Sequence, residues 1–164
     1  MNWRGAAYLE LGCIRKFLRA PTNMRREQVG IMFFLGIDIA KRIYEACLID
    51  GSGTMVTKTL RFTNNQSGGQ KLLKWLNSHK VLNAEVLVGL EATGHYWLAL
   101  HTFLRKNGFV VDTLNPIQSD ALRNLYLRQT KTDVKDAFLI ADFIRIGRYS
   151  KTKVSEEGIL GLRQ

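Results

Sequence analysis

The alternation of apolar and polar residues becomes regular after residue 31 and predicts a β-rich first part of the chain. Three segments have the length and composition of strands: residues 32–37, 43–50 and 54–62. The first is a short apolar run that ends directly at Asp38. The turn residues Gly51, Ser52 and Gly53 join the second segment to the third and favour a hairpin. We therefore expect an antiparallel meander of three strands.

Helical periods then alternate with two more strands. The predicted helices cover about residues 64–79, 95–107, 117–127 and 133–148, and the predicted strands cover residues 84–90 and 109–114. The order β-β-β-α-β-α-β-α-α, with two αβ crossovers after a meander, predicts an α/β fold built on a five-stranded mixed sheet with helices on both faces. That is the ribonuclease-H-like arrangement.

Three regions follow from the same pattern. Residues 1–31 lack a strand period and contain Pro21, so we expect an N-terminal extension outside the fold, with an accessory helix as the alternative. Residues 32–150 form the expected domain. A new apolar pattern begins at Ile159 and the chain ends within it, so residues 151–164 are expected to begin a helical linker.

Charge and cysteine content narrow the class of protein. The net charge of +10 favours a polyanionic partner, nucleic acid first. Cys13 and Cys47 are isolated in sequence, which argues against a zinc site or a disulfide framework and fits a reducing, cytoplasmic compartment. No apolar run reaches the roughly 18 residues that a membrane span needs, so no membrane partner is expected.

Two acidic residues stand at predicted strand ends. Asp38 closes the first strand and Glu91 closes the fourth, where an open α/β sheet places its functional sites. Gly36 and Gly89 each lie two residues earlier, on the same face of their strands as the acids. The glycines indicate room for a metal cluster or for a closely packed helix, unless their spacing is chance.

Two further acids begin the last predicted helix. Asp133 and Asp136 are three residues apart, so they face the same way. Acids at a helix start are also common as capping residues, and this pair alone is a weak signal. Together with Asp38 and Glu91, however, they provide the several carboxylates that phosphoryl transfer with two Mg²⁺ or Mn²⁺ ions requires.

Four short motifs carry a resemblance to a known family. They occur in this order: FLGIDIAK at residues 34–41, LEATGHY at 90–96, LNP at 114–116 and KTDVKDA at 131–137. As an ordered set they resemble the DEDD-type transposases of bacterial insertion sequences, whose N-terminal domain is similar to the Holliday-junction resolvase RuvC. The resemblance covers about residues 32–164.

The resemblance implies a site, a reaction and partners. The implied catalytic, metal-binding tetrad is Asp38, Glu91, Asp133 and Asp136, with Mg²⁺ or Mn²⁺ as cofactor. The implied activity is DNA transposition, by cutting and joining DNA, with a structured guide RNA and a homo-oligomer of the full-length protein. The resemblance also implies a C-terminal serine domain after a helical linker. Because the chain ends at Gln164, we expect a truncated product and assign none of its serines as nucleophile.

Basic residues near the last helix are candidates for contacts with nucleic acid. Lys131 precedes the two helix acids and Lys135 lies between them, and for both lysines a contact with phosphate and a solvated helix face are open. A basic stripe for backbone contacts is a second possibility, with ordinary surface charge as its alternative. Its members are Arg123, Arg128, Arg145 and Arg148.

Two other functions fit parts of the pattern. An actin-like or sugar-kinase-type ATPase shares the fold core, but Ile39, Ala40 and Lys41 stand where a phosphate loop usually has glycine and threonine. A nucleic-acid-binding module without catalysis is the other alternative. An ATP-binding measurement tests the first, and a cleavage assay tests the second.

Overall fold

The structure is a computed structural model that describes residues 32–92, 94–126, 133–147 and 149. Within these residues the strands are β1 (Phe33–Asp38), β2 (Ile43–Asp50), β3 (Leu60–Thr63), β4 (Val86–Glu91) and β5 (Val110–Leu114). The α-helices are α1 (Gln66–Ser78), α2 (Tyr96–Lys106), α3 (Pro116–Tyr126) and α4 (Asp133–Ile146). The expected N-terminal extension, 1–31, and the expected linker, 151–164, lie outside the described residues.

The five strands form one mixed sheet in the order β3-β2-β1-β4-β5. β1, β2 and β3 pair antiparallel, which confirms the predicted meander. β4 and β5 each join in parallel, after crossovers through α1 and α2. Because β1 and β4 are parallel neighbours, their carboxyl ends lie side by side at one edge of the sheet.

The third strand is shorter than its sequence pattern predicts. The alternation over residues 54–62 fits one continuous strand, but β3 begins only at Leu60. Met55 pairs with Ile49 through an isolated bridge, and the chain then leaves the sheet before β3. Met55 and Val56 are exposed, so little buried surface holds this part of the segment against the sheet.

The two faces of the sheet bury separate hydrophobic clusters. On one face, Leu35 and Ile37 pack with the apolar sides of α1 and α2, at residues such as Leu72 and Leu104. On the other face, Phe34 and Cys47 pack with α4. Helices therefore cover both faces, as the sequence predicted. No helix in the described ranges has the length and hydropathy needed to cross a membrane.

Two glycines bring α4 unusually close to the centre of the sheet. Gly36 and Gly89 are direct partners across β1 and β4. A Cβ atom at Gly36 would lie 2.1 Å from the carbonyl oxygen of Ala137, and one at Gly89 would lie 2.8 Å from Cγ2 of Ile144. Of the interpretations open at the level of sequence, the structure therefore supports a closely packed helix.

Side chains and glycines set the limits of the helices. The side chain of Asn65 accepts a hydrogen bond from the backbone N–H of Gly68 at 2.9 Å and caps the start of α1. The side chain of Asn115 accepts one from the N–H of Ile117 at 3.0 Å at the start of α3. After α2 the chain turns at Gly108, whose φ of 83° suits a residue without a side chain.

Candidate active site

Asp38 and Glu91 occupy adjacent ends of the two central strands. Ile37 pairs with Leu90, and each acid is the next residue of its strand. Each also shares a face with its strand's glycine, so both lie on the α4 side of the sheet. Adjacent strands are about 4.8 Å apart, which brings the two carboxylates close together. Glu91 is only 9% exposed, whereas Asp38 is partly exposed.

The last helix brings Asp136 to the face of the sheet on which Asp38 lies. α4 begins at Asp133, and Asp136 is 2% exposed. Asp136 directly precedes Ala137, whose backbone contacts Gly36 two residues before Asp38. The side chain of Asp133 lies outside the described part of the chain. Among the side chains that are described, no three His, Cys, Asp or Glu residues form a group that could hold a metal ion.

Glu45 is a further acid at this edge that the sequence did not single out. It is the direct antiparallel partner of Asp38, so the two side chains share the α4 face. Glu45 is 4% exposed, and its Oε2 lies 3.6 Å from Nε of Arg61. Arg61 is in turn the partner of Glu45 on β3. Removal of the arginine would leave a buried carboxylate without this cation.

A signal for Glu45 is present in the sequence. It is the one charged residue within the apolar run 43–49. The short turn at residues 39–42 fixes the pairing of β1 with β2 and places Glu45 opposite Asp38. A register assigned to the predicted meander would have identified this neighbour.

Cys47 lies two residues beyond Glu45 on the same face of the sheet. Burial, and to a smaller extent the nearby charge of Glu45, raise the pKa of its thiol to about 12. The thiol therefore stays protonated at neutral pH and is a poor metal ligand. The donors that the strands offer at this edge are carboxylate oxygens, the chemistry that Mg²⁺ and Mn²⁺ prefer.

The loop that follows Glu91 is held by aromatic side chains. The hydroxyl of Tyr44 donates to the carbonyl oxygen of Tyr96 at 2.7 Å, and Nε1 of Trp97 donates to the carbonyl oxygen of Gly94 at 3.0 Å. Trp97 is 8% exposed and lies in the core. His95, in contrast, is exposed.

The basic candidates are only partly described. Lys135 lies on α4 between the two acids and is partly exposed. Arg145 has a structural role, because its Nε donates to Oδ1 of Asp142 at 2.7 Å and its Nη1 donates to the carbonyl oxygen of Gly51 at 3.4 Å. It anchors α4 to the β2–β3 turn. The remaining candidates lie outside the described residues or have side chains that do: Arg123, Arg128, Lys131 and Arg148.

The mixed sheet, with acids at the ends of its central strands, defines a ribonuclease-H-like domain. A solved structure of similar fold is that of T. thermophilus RuvC in complex with a Holliday junction substrate. The similarity covers 74% of this chain and 99% of that chain, with a TM-score of 0.50 and 13% sequence identity. At this identity the comparison speaks for the fold alone.

Sequence comparison gives the family. The family model DEDD_Tnp_IS110, described as a transposase, matches residues 35–164, and the chain belongs to this family. A pilin gene-inverting protein of Moraxella bovis is 34% identical over 67% of this chain and 33% of its own length. A mini-circle putative transposase for IS117 of Streptomyces coelicolor is 32% identical over 71% of this chain and 28% of its own. The chain thus spans about a third of the length of these curated relatives.

Proposed function

We propose that this chain provides the metal-dependent catalytic domain of a DNA transposase or recombinase of an insertion sequence. The observation that carries the proposal is the placement of Asp38 and Glu91 at adjacent strand ends, on the face that α4 covers. α4 begins with the other two acids of the tetrad that the family resemblance implies, Asp133 and Asp136. The resulting reaction is phosphoryl transfer on DNA.

In this proposal the four acids would hold two Mg²⁺ or Mn²⁺ ions. Bound metal supplies charge stabilisation for the attacking and leaving oxygens of the phosphodiester. The chain itself supplies rigidity: Gly36 and Gly89 let α4 lie directly on the strands, so the helix acids keep a fixed distance from the strand acids. We also assign Lys135, which is partly exposed on α4, as a contact to a phosphate oxygen of the substrate.

The rest of the reaction belongs to parts beyond this domain. The relatives named for gene inversion and transposition are about three times as long as the matched region. We propose that a C-terminal serine domain supplies the joining nucleophile, that a structured RNA guides target choice, and that the full-length protein acts as a homo-oligomer. The domain alone then binds DNA and cleaves it by hydrolysis, without completing recombination.

The test is metal-dependent nicking of DNA by the chain and by two matched variants. Glu91→Gln removes one acid at the site, and Glu85→Gln makes the same change just before the opposite end of β4. With Mn²⁺ present, we expect Glu91→Gln to reduce nicking by roughly 100-fold or more, the usual loss when a group that stabilises developing charge is removed. Glu85→Gln should cleave like the unaltered chain.

Three outcomes separate the possible functions. Nicking that survives in Glu91→Gln contradicts the proposed site. DNA binding without metal-dependent cleavage by any variant supports a binding module instead. Joined products formed by this chain alone, and lost in Glu91→Gln, would show that the domain is a complete recombinase without the serine domain.

A further inference from the structure

Four exposed cations surround the β3 edge of the sheet, next to the candidate active site. Lys41 and Arg42 lie in the turn between β1 and β2, which begins directly after Asp38. Arg61 lies on β3, and Lys71 lies on α1. We refer to these four residues as the basic strip. None of them was singled out by the sequence analysis as a contact with nucleic acid.

Two hydrogen bonds to backbone carbonyl oxygens fix the segments of the basic strip relative to one another. The N–H of Asn64 donates to the carbonyl oxygen of Arg42 at 3.0 Å, which ties the β1–β2 turn to the end of β3. Nζ of Lys71 donates to the carbonyl oxygen of Arg61 at 2.7 Å, which ties α1 to the same strand. A groove of about 330 Å³ runs between β3 and α1, with Ile43 and Thr63 also in its walls. Arg61 and Lys71 therefore line one groove, and the turn that carries Lys41 and Arg42 is tied to the end of the strand beside it.

This surface is in line with the carboxylates. Asp38, Glu45 and Arg61 are successive partners across β1, β2 and β3, so their Cα atoms follow one line across the sheet. Two strand spacings separate the first from the last, about 10 Å. All three share the face on which α4 packs, but Arg61 and Thr63 remain exposed beside the helix.

We propose that the basic strip binds the phosphate backbone of the DNA whose scissile phosphodiester lies at the Asp38–Glu91 edge. This inference rests on the proposed function and names the path of the substrate across the domain. At a rise of about 3.4 Å per nucleotide, 10 Å corresponds to about three nucleotides. A strand that is cut at the carboxylates and runs toward β3 therefore reaches the strip within about three nucleotides. Glu45 is a positioning residue in this arrangement, because its carboxylate orients the Arg61 side chain.

The test compares two variants that lose the same charge at opposite ends of the sheet. Lys41→Gln/Arg42→Gln neutralises the exposed turn of the strip and leaves the Glu45–Arg61 pair intact. Arg105→Gln/Lys106→Gln neutralises the last turn of α2, just before β5, and serves as the control. Affinity of the full chain for a DNA duplex is measured in EDTA at several salt concentrations, with a duplex RNA in parallel and thermal melting as a check on folding.

We expect the strip variant to bind DNA about tenfold more weakly at low salt, with a salt slope reduced by about two, because each lost phosphate contact lowers the slope by about 0.9. The control variant should show a smaller loss of DNA affinity and a smaller change in salt slope. Equal losses in the two variants overturn the proposal, as does a loss confined to RNA. Since binding is measured without metal, failure of the strip and failure of the proposed catalysis are separate results.

Discussion

At the scale of single residues, His101 is the least well satisfied polar group among the described side chains. It lies on α2 with 9% exposure, its ring stands edge-on to that of Trp97 at 5.7 Å, and its Nδ1 has no hydrogen-bond partner there. Burial lowers its pKa, and the positive charge of Arg105 lowers it further. The folded state therefore disfavours protonation of this imidazole more than the unfolded state does.

The sign of the resulting pH dependence follows from linkage. As pH falls below about 6.5, the unfolded chain takes up a proton at His101 before the folded chain does, so stability falls. The stability that comes from keeping His101 neutral is fully present above the pKa of this histidine in the unfolded chain. It is lost as the pH falls from that value to the lower pKa of the folded chain. His101→Gln should remove this part of the dependence. Urea unfolding at several pH values between 5 and 8 measures it.

The control for this experiment is His95→Gln, which alters an exposed histidine on the same segment. It should keep the pH dependence of the unaltered chain. A difference in unfolding free energy between the His101 variant and the unaltered chain that is constant from pH 5 to pH 8 would contradict the assignment.

The candidate site shows which residues a sequence can reveal. Asp38 and Glu91 each end an apolar run, and a pattern of that kind is visible without any long-range information. Glu45 joins them only through the register of β1 with β2, and Arg61 only through the register of β2 with β3. Register depends on tertiary pairing, so the pattern of any single segment could not predict these neighbours.

At the scale of elements, the contact between α4 and β1 depends on Gly36. A Cβ atom there would overlap backbone atoms of Ala137 and Ala141, and backbone cannot move aside as a flexible side chain can. We therefore expect Gly36→Ala to lower the free energy of unfolding by about 3 kcal/mol, the upper end of the range for overpacked cores. Chemical denaturation of the full chain measures this change.

Gly51→Ala is the matched control, because a Cβ atom at Gly51 meets nothing within 4 Å. Its effect should stay within about 0.5 kcal/mol, as for most surface substitutions. If Gly36→Ala is as mild as Gly51→Ala, the helix does not rest on the strand as closely as the structure places it. In that case the link between the acids of α4 and those of the sheet is also weakened.

The order and type of the elements followed from the sequence, because each has a clear period and a start or stop signal. Asn65 and Gly108 are examples of such signals at helix ends. The length of β3 did not follow, because alternation continues through Met55 and Val56 although no partner surface buries them. A pattern records which face is apolar, and the packing decides how far the strand extends.

At the scale of the whole molecule, charge is separated along the line that joins the carboxylates to the basic strip. The chain has a net charge of +10, yet Asp38, Glu91 and Glu45 collect at one edge of its sheet. Carboxylates held this close repel one another, and the repulsion costs stability when no cation is present. The basic strip is then complementary to a polyanion, and the adjoining carboxylates are complementary to divalent cations.

The last prediction concerns the effect of metal on the stability of the full chain. An ion that binds only the folded state adds RT ln(1 + [L]/Kd) to the free energy of unfolding, about 2.7 kcal/mol at a hundredfold excess over Kd. For a chain of 164 residues this corresponds to a rise in Tm on the order of 5 °C or more. We expect millimolar Mn²⁺ to produce such a rise, measured by thermal melting.

Asp38→Asn and Asp120→Asn form the matched pair for this measurement, since Asp120 is exposed on α3 and is none of the four candidate ligands. Asp38→Asn should raise Tm without metal, because it removes one repelling charge, and should reduce the rise caused by Mn²⁺. Asp120→Asn should respond to Mn²⁺ like the unaltered chain. A Mn²⁺ effect that is equal in both variants would place the ion elsewhere, and no effect at all would mean that the four acids do not assemble into a metal site in this chain.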